Sequence, residues 1–263
     1  MKTGIFIFSQ KNVMTLVAFF IISFLPGWCF AHFPWLNAEN GSPNPGAGLS
    51  MTIGYGHNYP MGGFISKDKV ENLLLTGPIE KVPELHFTSD LEIKSSENLT
   101  TPGVYIVSAG KTPGFYTKTA EGGKQQSKKG LTDVIKCSYS HSFMKTVINV
   151  GEGAGRVDTP VGQLMEIIPL KNPKDLHAGG ALPILVLYKG KPWTGEVVAT
   201  FAGFSTEKDT WAQKIKTNEE GKTDITLTNG GYWLLRAIQE EKYPDAAECD
   251  NESFSSTLTF AIK

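Results

Sequence analysis

Charge is in short supply in this chain. Asp, Glu, Lys and Arg make up 19% of its 263 residues, and the formal net charge is −1. There is therefore no basic footprint for nucleic acid and no polyacidic tail. Beyond the N-terminal region no apolar run approaches the length of a membrane span, which predicts a soluble mature chain. Catalytic signatures are missing too. The chain has no G-x-S-x-G, no H-E-x-x-H, no P-loop, and no G-x-G-x-x-G between strand and helix, so the expectation is a protein that is not an enzyme. No repeat of 20–50 residues stands out.

The N-terminus carries a clear pattern. Lys2 and Lys11 precede an apolar stretch, V-M-T-L-V-A-F-F-I-I-S-F-L (13–25), which Pro26 and Gly27 break. The small residues Cys29 and Ala31 then stand at the −3 and −1 positions of a cleavage site. A basic start, a short apolar centre and a small-residue end describe a secretory signal peptide over 1–31. Cleavage after Ala31 exports the chain to the periplasm and leaves His32 as the new N-terminus. Its α-amine and imidazole have reference pKa values near ~7.8 and ~6.5, so both lose protons near neutral pH and form a two-nitrogen chelate from one residue.

What remains is rich in turn formers, with 28 glycines and 15 prolines in the whole chain. Strand patterns recur at 49–56, 84–93, 103–110, at both ends of 134–151, and at 163–170. They continue through L-P-I-L-V-L-Y-K-G-K-P-W-T-G-E-V-V-A-T-F, with a turn at Gly190–Lys191–Pro192. Another follows in T-D-I-T-L-T-N-G-G-Y-W-L-L-R-A, with a tight turn at Asn229–Gly230–Gly231, and the last is S-S-T-L-T-F-A-I-K. Residues 117–130 hold almost no apolar side chains and read as a solvated, mobile loop. The predicted class is all-β: two immunoglobulin-like, Greek-key β-sandwich domains, over 32–155 and 156–263, following the signal peptide. Two cysteines survive processing, Cys137 and Cys249. In an exported protein they either form a disulfide closing a loop of about a hundred residues or stay as thiols, one of them a metal ligand.

M-E-I-I-P-L-K-N-P, L-P-I-L-V-L-Y-K-G-K-P-W-T-G-E-V-V, T-N-E-E-G-K-T-D-I-T-L-T-N-G-G-Y-W-L-L-R-A and S-T-L-T-F-A-I-K, together with A-H-F-P-W-L and G-Y-G-H-N-Y-P, carry a resemblance. The chain resembles a family of exported bacterial proteins, formally a domain of unknown function, described as periplasmic components of cobalt or nickel uptake. The C-terminal half also resembles transthyretin-like and carboxypeptidase-regulatory modules. The resemblance implies a soluble periplasmic protein that binds nickel or cobalt and serves a membrane metal transporter.

His32 is the first ligand candidate. His57, in Tyr55–Gly56–His57–Asn58–Tyr59–Pro60 at a strand end, is the second, and the resembled family also places a glycine–histidine pair after its first strand. Two imidazoles and one terminal amine supply three nitrogens, a set that suits copper(II) or nickel(II) in tetragonal geometry. His141 is the third candidate. It lies four residues from Cys137, so a regular strand puts both on one face. Met51 and Met61 offer thioether sulfur to copper(I), or fill core space. Glu166 interrupts an apolar strand and either faces solvent or orients a ligand histidine. Two other functions stay open: a copper-handling periplasmic protein using the same ligands, and an immunoglobulin-like binding module without metal.

Overall fold

The computed structural model describes residues 32–263, and the predicted signal peptide and its cleavage site lie outside them. The described residues form seventeen strands in chain order: β1 (Phe33–Ala38), β2 (Ser50–Gly56), β3 (Gly63–Phe64), β4 (Val70–Thr76), β5 (Leu85–Phe87), β6 (Glu92–Ser95), β7 (Gly103–Thr119), β8 (Gly122–Lys124), β9 (Val134–Val150), β10 (Met165–Pro169), β11 (Ala181–Tyr188), β12 (Lys191–Pro192), β13 (Glu196–Phe201), β14 (Gln213–Lys216), β15 (Lys222–Thr226), β16 (Gly231–Lys242) and β17 (Asn251–Ile262). The protein is all-β.

Three sheets are stacked. The largest runs β14-β13-β16-β17-β9-β7-β4, with β8 added to β7. Its side chains alternate between two cores, as a strand's period of two requires. Tyr105, Val107 and Ala109 of β7 and Met144, Ile148 and Val150 of β9 pack against the sheet β1-β2-β6-β5. Val104, Ile106 and Val147 point the other way, against β10, β11 and β15. A sheet buried on both faces reads as a continuous apolar and small-residue run. Ser253 to Phe260 fits: every residue in it is buried.

The expected division at 155/156 falls between β9 and β10. Strands from its two sides nevertheless share the large sheet, because β17 pairs in parallel with β9, from Asn251 against Ser138 to Thr259 against Thr146. The first half therefore lines both cores, while the second half shares one of them and on the other face meets β1 through Leu234, which packs with Phe33, Trp35 and Tyr59. Parallel pairing of segments so far apart in sequence has no local signature, so residue patterns alone could not show it.

Several local expectations change. The stretch 117–130, expected to be a mobile loop, is partly ordered as the end of β7 and a hairpin with β8. Backbone pairing and hydroxyls hold it, not apolar burial: buried Thr117 and Thr119 donate to the carbonyls of Gln126 (2.7 Å) and Gly122 (2.9 Å). Residues 134–150 are one unbroken strand. The turn after β11 sits at Lys189–Gly190, with φ of 50° and 75°, and Lys191–Pro192 already belongs to β12. Two positive φ values match the twist of a two-residue hairpin, which is why glycine stands at 190. The Asn229–Gly230–Gly231 turn is not a hairpin. It carries the chain from β15, paired with β11, across to β16 in the large sheet.

Candidate functional site

The register of the first hairpin brings the two leading candidates together. β1 pairs antiparallel with β2, and Phe33 faces Gly56. One further step outward sets His32 opposite His57. Directly opposed residues have side chains in reach of each other. The two imidazole centroids lie 4.4 Å apart, with the planes tilted by 51°. Tyr55 stacks on His32 at 5.2 Å and 25°. β1 is held in place from below: the hydroxyls of Thr257 and Thr259 donate to the carbonyls of Pro34 and Leu36, both at 2.8 Å.

Asp209 completes the group. It lies in the segment between β13 and β14, at φ 52°. Its carboxylate oxygens are 3.0 and 3.1 Å from His57 Nδ1, and its backbone N–H donates to the His57 carbonyl at 3.2 Å. Asn58 adds a second tie, donating from Nδ2 to the Thr206 carbonyl at 2.6 Å. A carboxylate accepts hydrogen bonds, so Nδ1 of His57 carries a proton, and in the neutral ring the lone pair is on Nε2. A second group that fixes tautomer and ring orientation in this way is the usual companion of a metal-binding histidine. Nothing in the spacing of T-E-K-D-T-W singled out Asp209 in the sequence. Its one local oddity, a positive φ, is a property of the fold.

The electrostatics at His32 favour a free lone pair. Burial pulls the His32 imidazole below its ordinary pKa, and the neighbouring His57 and Lys208 push the same way against Asp209. A lowered pKa leaves the ring neutral at pH 7, the form that ligates. The floor is aromatic: Phe33 lies 5.4 Å from Trp35 and 5.6 Å from Trp211, and Trp35 lies 5.9 Å from Tyr59. Beneath Phe33 runs the fully buried Arg236, its guanidinium carbon 4.4 Å from the ring centre. Burial pulls its pKa down to about 10, opposed by the charge of Asp209.

The other candidates stand elsewhere. His141 does not join His32 and His57. It shares its face of β9 with Phe143 and Val147, both packed into the core on the far side of the large sheet from β1. There it stacks on Phe254 (4.6 Å, 3°), and its Nε2 lies 2.8 Å from Glu252. Cys137 and Cys249 form a disulfide, so neither sulfur is a thiol ligand. Met51 is core filling, whereas Met61 is 72% exposed in the segment after His57. Glu166 faces neither solvent nor a histidine. It is buried, 2.6 Å from Lys145 Nζ, and it accepts from the backbone N–H groups of Val161 and Gly162.

Among the described residues no three His, Cys, Asp or Glu side chains gather as a metal site. A three-donor site at the histidine pair needs the amine of His32, which exists only once the bond to Ala31 is cut. The donor set fits a transition ion on those terms: two imidazoles, one with its tautomer set, and a chelating amine. Among the described residues no helix is long and apolar enough to cross a membrane.

A family model described as "Domain of unknown function (DUF4198)" matches residues 29–241. No curated protein matches the chain. Among solved structures it is similar to the D0-D1 domain of intimin, at 12% identity over 86% of this chain and 97% of that one, with a TM-score of 0.22. It is also similar to the adhesin InvE of Yersinia pseudotuberculosis, at 12% identity over 87% of this chain and 58% of that one, with a TM-score of 0.20. Overlap this low carries no argument about fold or function.

Proposed function

The chain belongs to the DUF4198 family of domains of unknown function, and from its geometry we propose that it is a periplasmic protein that binds one transition-metal ion at its processed N-terminus. The observation that carries this reading is the cross-strand pair His32–His57, with ring centroids 4.4 Å apart and Asp209 on Nδ1 of His57. Rings this close can share an ion whose bonds to imidazole run about 2.0–2.1 Å. The His32 amine adds the third nitrogen. The protein's part is to hold the rings, keep that of His32 neutral and back the pair with an aromatic floor. The ion is cargo on this reading, and the resemblance to nickel and cobalt uptake proteins points to nickel or cobalt passed to a membrane transporter. We read the C-terminal half as a transthyretin-like or carboxypeptidase-regulatory-like module on its separate sequence resemblance alone.

Copper is the second reading, favoured by the all-nitrogen donor set. Divalent copper binds such sites more tightly than nickel or cobalt in general, so affinity in vitro does not choose the physiological ion. Metal content of the protein isolated from its own periplasm does.

The site itself is tested by calorimetric titration of nickel(II) and copper(II) into three proteins: the chain beginning at His32, the same chain with one extra N-terminal residue, and His57→Ala. The first should bind one ion, and the other two should lose at least about tenfold in affinity, the scale on which ligand-shell changes act. Equal affinities in all three would remove the site.

A further inference from the structure

The row that holds the histidine pair continues past His57. β3 pairs with β2 on the edge away from β1, Tyr55 against Gly63 and Gly54 against Phe64. One step outward sets Gly56 opposite Gly62, and the next sets His57 opposite Met61. The backbones are close there: a Cβ added at Gly56 would stand 3.3 Å from the Gly62 Cα and 3.9 Å from the Met61 carbonyl oxygen. Trp35 pins the returning chain, because a Cβ at Gly62 would meet its indole at 2.8 Å and the Tyr55 carbonyl at 3.0 Å. Residues directly opposed across a sheet share a face. His32, His57 and Met61 thus stand side by side, one on each of three neighbouring segments.

Met61 also carries the accessible sulfur. Met1 and Met14 precede the predicted cleavage point. Met51, Met144 and Met165 are buried, and Cys137 and Cys249 are joined. Met61 is 72% exposed, so core packing does not account for it. Its unbranched side chain has three rotatable bonds and adapts to what lies beside it.

We propose that Met61 is a further metal ligand, its thioether joining the two imidazoles and the His32 amine, and that the ion so held is copper(I). Imidazole serves zinc, copper, iron and nickel alike, whereas thioether sulfur selects copper(I). Nickel(II) and copper(II) need only the nitrogens, and copper(I) draws on the sulfur. The proposal rests on the metal-binding reading of the histidine pair and names the ion that three nitrogens and a thioether suit.

The test uses the chain beginning at His32, as wild type and as Met61→Leu. Copper(I) is the probe, added without oxygen in competition with a coloured copper(I) chelator. Met61→Leu should bind it at least about tenfold more weakly, the smallest loss expected even from a group behind the ligand shell. Its affinity for nickel(II) and copper(II) and its thermal midpoint should match the wild type, because the side chain is exposed. X-ray absorption at the copper edge should show a sulfur neighbour in the copper(I)-loaded wild type and none in Met61→Leu. Equal copper(I) affinities, or no sulfur neighbour in the wild type, overturn the assignment of Met61, while nickel(II) or copper(II) binding that persists leaves the histidine site standing. A wild-type chain that takes up none of the three ions defeats the metal reading and this proposal with it.

Discussion

Glu166 lies in M-E-I-I-P, where every residue of the strand is buried, and its partner Lys145 comes from β9. With 0% and 1% of the two side chains exposed, the pair crosses between sheets entirely out of water. Burial drives the lysine's pKa below its ordinary value, against the pull of the carboxylate. Breaking such a pair leaves an uncompensated buried charge. Glu166→Ala should therefore destabilise the fold by about 3–5 kcal/mol, read by urea unfolding. Lys145→Met with Glu166→Leu should recover only part of that, because the N–H groups of Val161 and Gly162 lose their acceptor. At this scale the histidine pair was legible in the sequence and the carboxylates were not. His32 and His57 flank one hairpin, so local patterning reaches both. Asp209 is brought to His57 across 152 positions of chain, and Glu166 to Lys145 across 21. Residue patterns cannot distinguish such a carboxylate from a solvated one.

β1 owes its position to a close fit with glycine. A Cβ added at Gly54 would stand 2.3 Å from the Trp35 indole, and one at Gly62 would stand 2.8 Å from it. Gly54 pairs directly with Trp35, so the indole lies across the glycine. Gly54→Ala should cost roughly 1–3 kcal/mol, the range for overfilling a packed site. It should also lift β1 enough to weaken nickel(II) binding at the chain beginning at His32. A thermal melt and a titration on the same variant check both. Weakened folding with unchanged binding would show that the pair tolerates movement of β1. Strand patterning marks 49–56 but not β1 (Phe33–Ala38). F-P-W-L-N-A carries a proline and no alternation. It becomes a strand because β2 pairs with it and threonines of β17 accommodate its carbonyls.

At the scale of the molecule the two cores lie on opposite faces of one sheet, so loss of either exposes the apolar face of strands that also build the other. The expected consequence is a single unfolding transition, coincident by near-ultraviolet and far-ultraviolet circular dichroism. Two separated transitions would mean that the halves fold independently, as domains over 32–155 and 156–263. The Cys137–Cys249 disulfide spans 112 positions and ties β9 to the segment before β17. In the chain-entropy account a loop of this size contributes about 4–5 kcal/mol, so a Cys137→Ser, Cys249→Ser chain should lose stability on that order in urea. Residues 128 and 250 brace the same corner: Asp250 accepts from the Cys137 N–H at 2.7 Å and pairs with Lys128.

Composition and local pattern alone determined the all-β class, most strand positions in the second half, and the candidacy of His32 and His57. Those depend on alternation, turn chemistry and the chemistry of one side chain, all of which act over a few residues. Only the tertiary structure decided that β9 and β17 pair in parallel, that His141 faces away from the histidine pair, that Cys137 meets Cys249, and that Asp209 and Arg236 stand behind His57 and Phe33. Each of these joins residues far apart in the chain, and the pairing is chosen by how whole sheets bury their faces.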